Sequence, residues 1–122
     1  MVKIMIVEDH RSFREVLKEC LRDEVFTAVF EEAGTGGEAL EKVGLFRPDL
    51  ILMDIHLPDM SGLELTKTIK EKYPTTIVAI LSSYDSAEFQ KVATRYGAKL
   101  FLSKSETTRR DLLALVKSAL SR

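Results

Sequence analysis

Glu8 and Asp9, Asp54, Ser82 and Ser83, and Ser103 and Lys104 have one thing in common: each group directly follows a short apolar run. The runs are Lys3–Val7, Leu50–Met53, Ile77–Leu81 and Leu100–Leu102. If they are neighbouring parallel strands, their carboxyl ends share one rim, where open α/β sheets bind ligands. Three carboxylates, a hydroxyl and an ammonium then converge. Carboxylates at close range repel one another, and at least one pKa rises unless a cation offsets the charge. A hard divalent ion is the simplest remedy. Mg²⁺ suits such a rim, because it needs only one or two carboxylates, keeps several waters and completes its octahedron with phosphate oxygens. Catalytic zinc is not expected, since His10 and His56 follow different strands and no third soft ligand accompanies them.

Amphipathic segments separate the runs, which is the pattern of parallel strands covered by helices on both faces. A fifth run, Phe26–Ala33, alternates less well and is placed as an edge strand. The first helix should begin near Ser12 and bury Phe13, Val16, Leu17, Cys20 and Leu21 on one stripe. Gly36 and Gly37 precede a short second helix, Glu38–Val43, and Pro48 disfavours helix at Arg47. Ser61 is the expected N-cap of Gly62–Tyr73, with Glu64 as the reciprocal partner in a capping box, Leu65 and Ile69 as core contacts and Pro74 as the stop. Ser86 or Asp85 caps a fourth helix that carries Phe89, Val92, Ala93 and Tyr96 and closes at Gly97. The last helix, about Thr107 to Leu120, should bury Leu112, Leu115, Val116, Ala119 and Leu120. Five alternations of strand and helix with right-handed crossovers predict a five-stranded parallel sheet of order 2-1-3-4-5, the flavodoxin-like doubly wound (βα)5 architecture.

Composition narrows the function. With 122 residues, 45% of them hydrophobic, the chain suits one domain over 1–122 with a single core. Its only cysteine, Cys20, rules out an internal disulfide framework. A buried thiol and a reducing cytoplasmic setting are expected. Met1–Val7 meets Glu8 and Asp9 before a signal-peptide core could form, and no apolar stretch approaches the ~20 residues a membrane span needs. A net charge of −1 argues against nucleic acid as the direct ligand. That balance conceals a split, because residues 1–61 carry 7 basic and 13 acidic side chains and residues 62–122 carry 11 and 6. Solvated helix faces would explain it, and so would an acidic site followed by a basic partner surface.

Glu8-Asp9, Asp54 followed by Pro58 and Ser61-Gly62, Ser82, and Lys104 together resemble the response-regulator receiver domains of two-component signalling. The likeness covers the whole chain. The stretches Val7-Glu8-Asp9-His10 and Gly97-Ala98 through Lys104 look most like receivers that precede a LuxR-type helix-turn-helix domain. The resemblance implies that Asp54 is the phosphoacceptor, its carboxylate attacking a phosphohistidine of a sensor kinase or phosphotransfer protein, or a small donor such as acetyl phosphate. It further implies Mg²⁺ on Asp9 and Asp54, with Glu8 acting through water and the backbone carbonyl of His56 adding an oxygen. Lys104 would pair with the phosphate and Ser82 would hydrogen-bond it. Ser82 and Phe101 would form the switch, and His56 and Tyr84 would tune phosphoryl lifetime. By the same likeness the chain is a phosphoacceptor with at most slow autodephosphorylation, and it could pair with a second copy once phosphorylated.

Three departures from that pattern stand out. Ser105 occupies the place where receivers usually carry proline in a cis bond, so a trans or strained Lys104–Ser105 peptide is expected. Ser83 replaces a smaller residue, and Phe101 lacks the hydroxyl of the commoner tyrosine. Among rivals, an aspartyl-phosphate hydrolase of the haloacid dehalogenase type needs Asp-x-Asp, whereas the chain reads Asp54-Ile55-His56. A docking scaffold without phosphorylation would not need the acidic pair with Asp54 and Lys104. Dinucleotide binding would need a glycine-rich turn after the first strand.

Overall fold

The computed structural model describes residues 1–22, 27–83 and 86–121. Strand and helix alternate as β1 (Val2–Val7), α1 (Arg11–Leu21), β2 (Ala28–Ala33), α2 (Gly36–Phe46), β3 (Leu50–Asp54), α3 (Gly62–Lys72), β4 (Ile77–Ser82), α4 (Ala87–Arg95), β5 (Leu100–Ser103) and α5 (Arg109–Leu120). All strand pairs are parallel and their order is β2-β1-β3-β4-β5, as expected.

Side chains alternate across a strand, so each central strand feeds two cores. Met5, Val7, Ile51, Met53, Val78 and Ile80 point to one face, under α2, α3 and α4. Ile4, Ile6, Leu50, Leu52, Ala79 and Leu81 point to the other, with Leu17 and Leu21 of α1 and Leu112 and Val116 of α5. This explains why the central runs are apolar throughout instead of alternating. Fully burying each of the larger ones, the Val, Ile, Leu and Met side chains, stabilises the fold by roughly 1.5–3 kcal/mol.

The edge strand begins at Ala28; Phe26, where the run was expected to start, lies outside the described residues, as does Asp85. In α1, Val16 is 52% exposed and Cys20 only half-buried, against the expectation that both are covered. The reason is a cavity of about 240 Å³ between α1 and α5, lined by Phe13, Val16, Cys20 and Leu112. Leu115 is likewise exposed, on the outer side of α5, which begins at Arg109 with Thr108 as N-cap. Helix α2 is longer than expected at both ends. Its two glycines form the first turn after the N-cap Thr35, and it ends on Arg47 in the left-handed region (φ 53°), just before Pro48. Ser61 caps α3 by accepting from the Leu63 amide at 3.1 Å. Glu64, expected to complete a capping box, instead accepts from the Tyr96 hydroxyl at 3.3 Å and so ties α3 to the end of α4. Ser86 caps α4, and Gly97 takes the positive φ (104°) that ends it.

Candidate functional site

Parallel pairing brings the carboxyl ends of β1, β3, β4 and β5 to one rim: Val7 lies beside Met53, Asp54 beside Leu81, and Ser82 beside Ser103. Glu8, Asp54 and Ser82 are buried there, at 2%, 6% and 0% exposure. Lys104 is the bridge. Its Nζ donates to Glu8 Oε1 at 2.5 Å and lies 3.4 Å from Asp54 Oδ1, while its stem places the ammonium 4.7 Å from the centre of the Phe13 ring. Its backbone amide donates to the Ser82 carbonyl at 2.9 Å, fixing β5 to the end of β4.

The two buried carboxylates are not equivalent. Burial pushes Glu8 up, but the Lys104 hydrogen bond and the His10 amide outweigh that and hold it below the ordinary carboxylate range. Asp54 is held above that range, by burial first and then by the charge of Glu8, with Lys104 only partly offsetting them. Asp9 is more exposed and lies against Glu8, and the His10 Nδ1 contacts both, 3.1 Å from Glu8 Oε2 and 3.2 Å from Asp9 Oδ1. Glu8, Asp9 and His10 each place one ligand atom within 4.8 Å of the others. Asp54 is linked to this group by Lys104. Two buried carboxylates thus share one ammonium, with Asp9 grouped beside Glu8, a set of hard oxygens with surplus negative charge that fits a divalent cation such as Mg²⁺.

The loop leaving Asp54 is held closely. Gly62 donates to the Ile55 carbonyl at 2.7 Å, and His56 bridges Ser61. A Cβ on Gly62 would sit 1.9 Å from the Asp54 carbonyl oxygen, so only glycine allows α3 to start there. The His56 ring is exposed and meets Phe89 of α4 edge-on at 6.3 Å between centroids. Phe101 is half-buried and lines a cavity of about 450 Å³ with Gln90, Asp111 and Leu115, between α4 and α5. Tyr84 lies outside the described residues. No cis peptide occurs among the described residues, so the Lys104–Ser105 bond is trans; Ser105 Oγ lies 3.1 Å from Ser103 Oγ.

Several residues that shape this rim went unassigned in the sequence. Arg14 donates to the Glu8 carbonyl at 2.6 Å and to Glu32 at 2.9 Å. His10, read from the sequence as an inadequate zinc ligand and as part of the Val7–His10 stretch, contacts both acids that follow β1. Asp59 accepts from the amides of Gly36 and Gly37. His10 was the most accessible of these to sequence reasoning, since it directly follows the acidic pair.

Residues 4–117 match the family described as response regulator receiver domain. The chain is 40% identical over 113 residues to protein-glutamate methylesterase/protein-glutamine glutaminase 1 of Syntrophus aciditrophicus, covering 91% of this chain and 32% of that one. It is 35% identical over 103 residues to the transcriptional regulatory protein DegU of Brevibacillus brevis, covering 84% and 44%. The chain therefore spans about a third to a half of the curated relatives it matches. Among solved structures, a CheY-like receiver domain protein from Methanospirillum hungatei superposes with a TM-score of 0.90 at 32% identity, covering 98% of this chain and 94% of that one. A LuxR-family two-component response regulator from Aurantimonas sp. gives 0.91 at 27% identity, covering 98% and 85%.

The chain belongs to the response regulator receiver domains of two-component systems. Receivers of this family interact with histidine kinases and bind Mg²⁺ in an acidic pocket, and an acidic group of that kind is present here. Among the described residues, no helix is long and apolar enough to cross a membrane.

Proposed function

We propose that Asp54 is the phosphoacceptor of this receiver. The observation that carries the reading is the buried Asp54 carboxylate within 3.4 Å of the Lys104 ammonium, at the end of the central strand. An Asp54 oxygen attacks the phosphorus of a phosphohistidine and the P–N bond breaks; with acetyl phosphate the P–O bond breaks and acetate leaves. Either donor yields an acyl phosphate on Asp54. Lys104, already oriented by Glu8 and the Phe13 ring, pairs with the incoming phosphoryl oxygens as a point charge. Asp9, Asp54, the His56 carbonyl and, through water, Glu8 are the groups that would hold Mg²⁺, which supplies charge neutralisation as the phosphoryl group transfers. Ser82 donates its hydroxyl to a phosphate oxygen once it is in place.

The new group carries ≈ −1.5 to −2 charge and biases a two-state arrangement. In this reading Ser82 and Phe101 transmit the bias to the face formed by α4, β5 and α5. The half-buried Phe101 ring lines the open cavity on that face and so is placed to alter it when it moves. Lys91, Arg95, Lys99, Arg109 and Arg110 are exposed around that face and suit an acidic partner or a second copy. His56, placed against α4 by Phe89, and Tyr84 tune phosphoryl lifetime. The likeness to DegU and to LuxR-family regulators supports a cytoplasmic role in transcriptional control through an attached DNA-binding domain, with 1–122 acting as one receiver unit that does not itself contact nucleic acid.

Intact mass spectrometry after incubation with acetyl phosphate and Mg²⁺ tests the acceptor. One added phosphate is expected on the wild type and none on Asp54→Asn. Equal labelling of both proteins would move the acceptor elsewhere. No adduct, together with failure to bind beryllofluoride, would favour a docking scaffold.

A further inference from the structure

Helix α2 begins with two residues that have no side chains, yet its first amides are not left to solvent. Thr35 Oγ1 accepts from the Glu38 amide at 3.0 Å. The Gly36 and Gly37 amides donate to the two oxygens of a single carboxylate, Asp59 Oδ1 at 2.8 Å and Oδ2 at 2.9 Å. A helix start normally finds its acceptor within its own first turn. Here the acceptor comes from 22–23 residues further on, in the loop that leaves Asp54. The contact is charge-assisted, and the Gly36 and Gly37 amides hold the Asp59 carboxyl below its ordinary range. Gly36 also lies close under the loop, since a Cβ there would sit 2.4 Å from the Met60 side chain, which would have to move.

We infer that Asp59 is a positioning residue for cation binding: by fastening the tip of the 55–61 loop to the first turn of α2, it holds the His56 carbonyl and the Asp54 backbone in place for Mg²⁺. The inference rests on the phosphoacceptor reading above. The loop is closed at its base by the Gly62–Ile55 hydrogen bond and the His56–Ser61 bridge, and at its tip by Asp59. His56 sits at the base, and only Leu57 and Pro58 separate it from the anchored tip. Mg²⁺ demands near-ideal octahedral geometry, so freedom at the tip reaches a ligand three residues away. Partners that orient metal ligands typically contribute 10–100-fold to affinity.

The experiment is an NMR titration of wild type, Asp59→Ala and Asp59→Asn with Mg²⁺ alone. It is paired with the rate of phosphorylation by acetyl phosphate at increasing Mg²⁺, and with hydrogen exchange at the Gly36 and Gly37 amides. The expected result is a Mg²⁺ Kd about tenfold weaker for Asp59→Ala and less affected for Asp59→Asn, which keeps one acceptor oxygen. The Mg²⁺ concentration for half-maximal rate rises by the same factor, the rate at saturating Mg²⁺ stays within twofold of wild type, and both amides exchange faster. If exchange speeds up while Kd stays within twofold of wild type, Asp59 merely caps α2 and the inference is overturned. Should Asp59→Ala not fold, Asp59→Asn decides: a Kd more than twofold weaker than wild type supports the inference, and one within twofold overturns it. A wild type that binds Mg²⁺ but gains no phosphate would defeat the phosphoacceptor reading and leave the Asp59 comparison intact.

Discussion

Glu8 and Asp54 titrate in opposite directions although both are buried and both lean on Lys104. Both accept a backbone hydrogen bond, Glu8 from His10 and Asp54 from His56, but Glu8 has the closer Lys104 contact, and its folded-state pKa lies below the ordinary 4.5. The stability it contributes is full above 4.5 and is lost as pH falls through the folded value. Asp54 lies above its ordinary 3.8. Its ionisation therefore opposes folding, with a penalty that is full above the folded pKa and gone below 3.8. Two substitutions should have opposite effects on thermal stability at pH 7 without Mg²⁺. Glu8→Gln lowers it, by about 2 kcal/mol for a charged hydrogen bond lost in a buried place, whereas Asp54→Asn raises it. Both differences shrink as pH falls toward 3. Melting curves across that range check the pair, and a common sign at pH 7 would refute the assignment of Lys104 mainly to Glu8. Sequence reasoning could bring these side chains to one rim, because strand ends are countable. It could not say which acid Lys104 prefers, since that depends on a difference of about an ångström.

At the level of the element, the start of α3 shows how local sequence serves the site. Ser61 caps the helix, and Gly62 follows it because the chain passes over the carbonyl of the proposed acceptor. Gly62→Ala adds helix propensity of no more than about 1 kcal/mol. Against this it forces a Cβ to within 1.9 Å of backbone, not of a side chain that could swing away. The clash should win, with a net loss of about 3 kcal/mol or more in urea unfolding. A variant as stable as wild type would show that the 54–62 segment relaxes easily. The caps at Ser61, Ser86 and Gly97 were readable because their chemistry lies within a few residues. The start of α2 was not, since its acceptor is Asp59. Nor was the turning of Glu64 toward Tyr96, which depends on how α3 meets α4. The exposure of Val16 had no signal either, because an i, i+3, i+4 stripe does not reveal how far α5 stands from α1.

For the whole molecule, period-2 alternation divides the interior into two cores, one on each face of a single sheet. Leu52, 1% exposed between α1 and α5, should cost 2–5 kcal/mol when cut to Ala. Leu45, 90% exposed on α2, should change stability by less than about 0.5 kcal/mol on the same substitution. Denaturant midpoints compare the two, and similar losses would contradict the packing described. Strand order followed from the alternation of elements and the handedness of crossovers, which leave few arrangements. What sequence could not supply was the space between helices, including the cavities beside Phe101 and beside Cys20.

The Lys104–Glu8 contact joins residues 96 positions apart in the chain. During synthesis, β1 leaves the ribosome before the other strands, followed by its two acids and without Lys104. Asp54 comes 45 residues after Asp9. Neither meets the ammonium until β5 has emerged and docked against β4. A nascent fragment thus holds the acids without the lysine, and the complete rim, with whatever signalling competence it carries, arrives late and all at once.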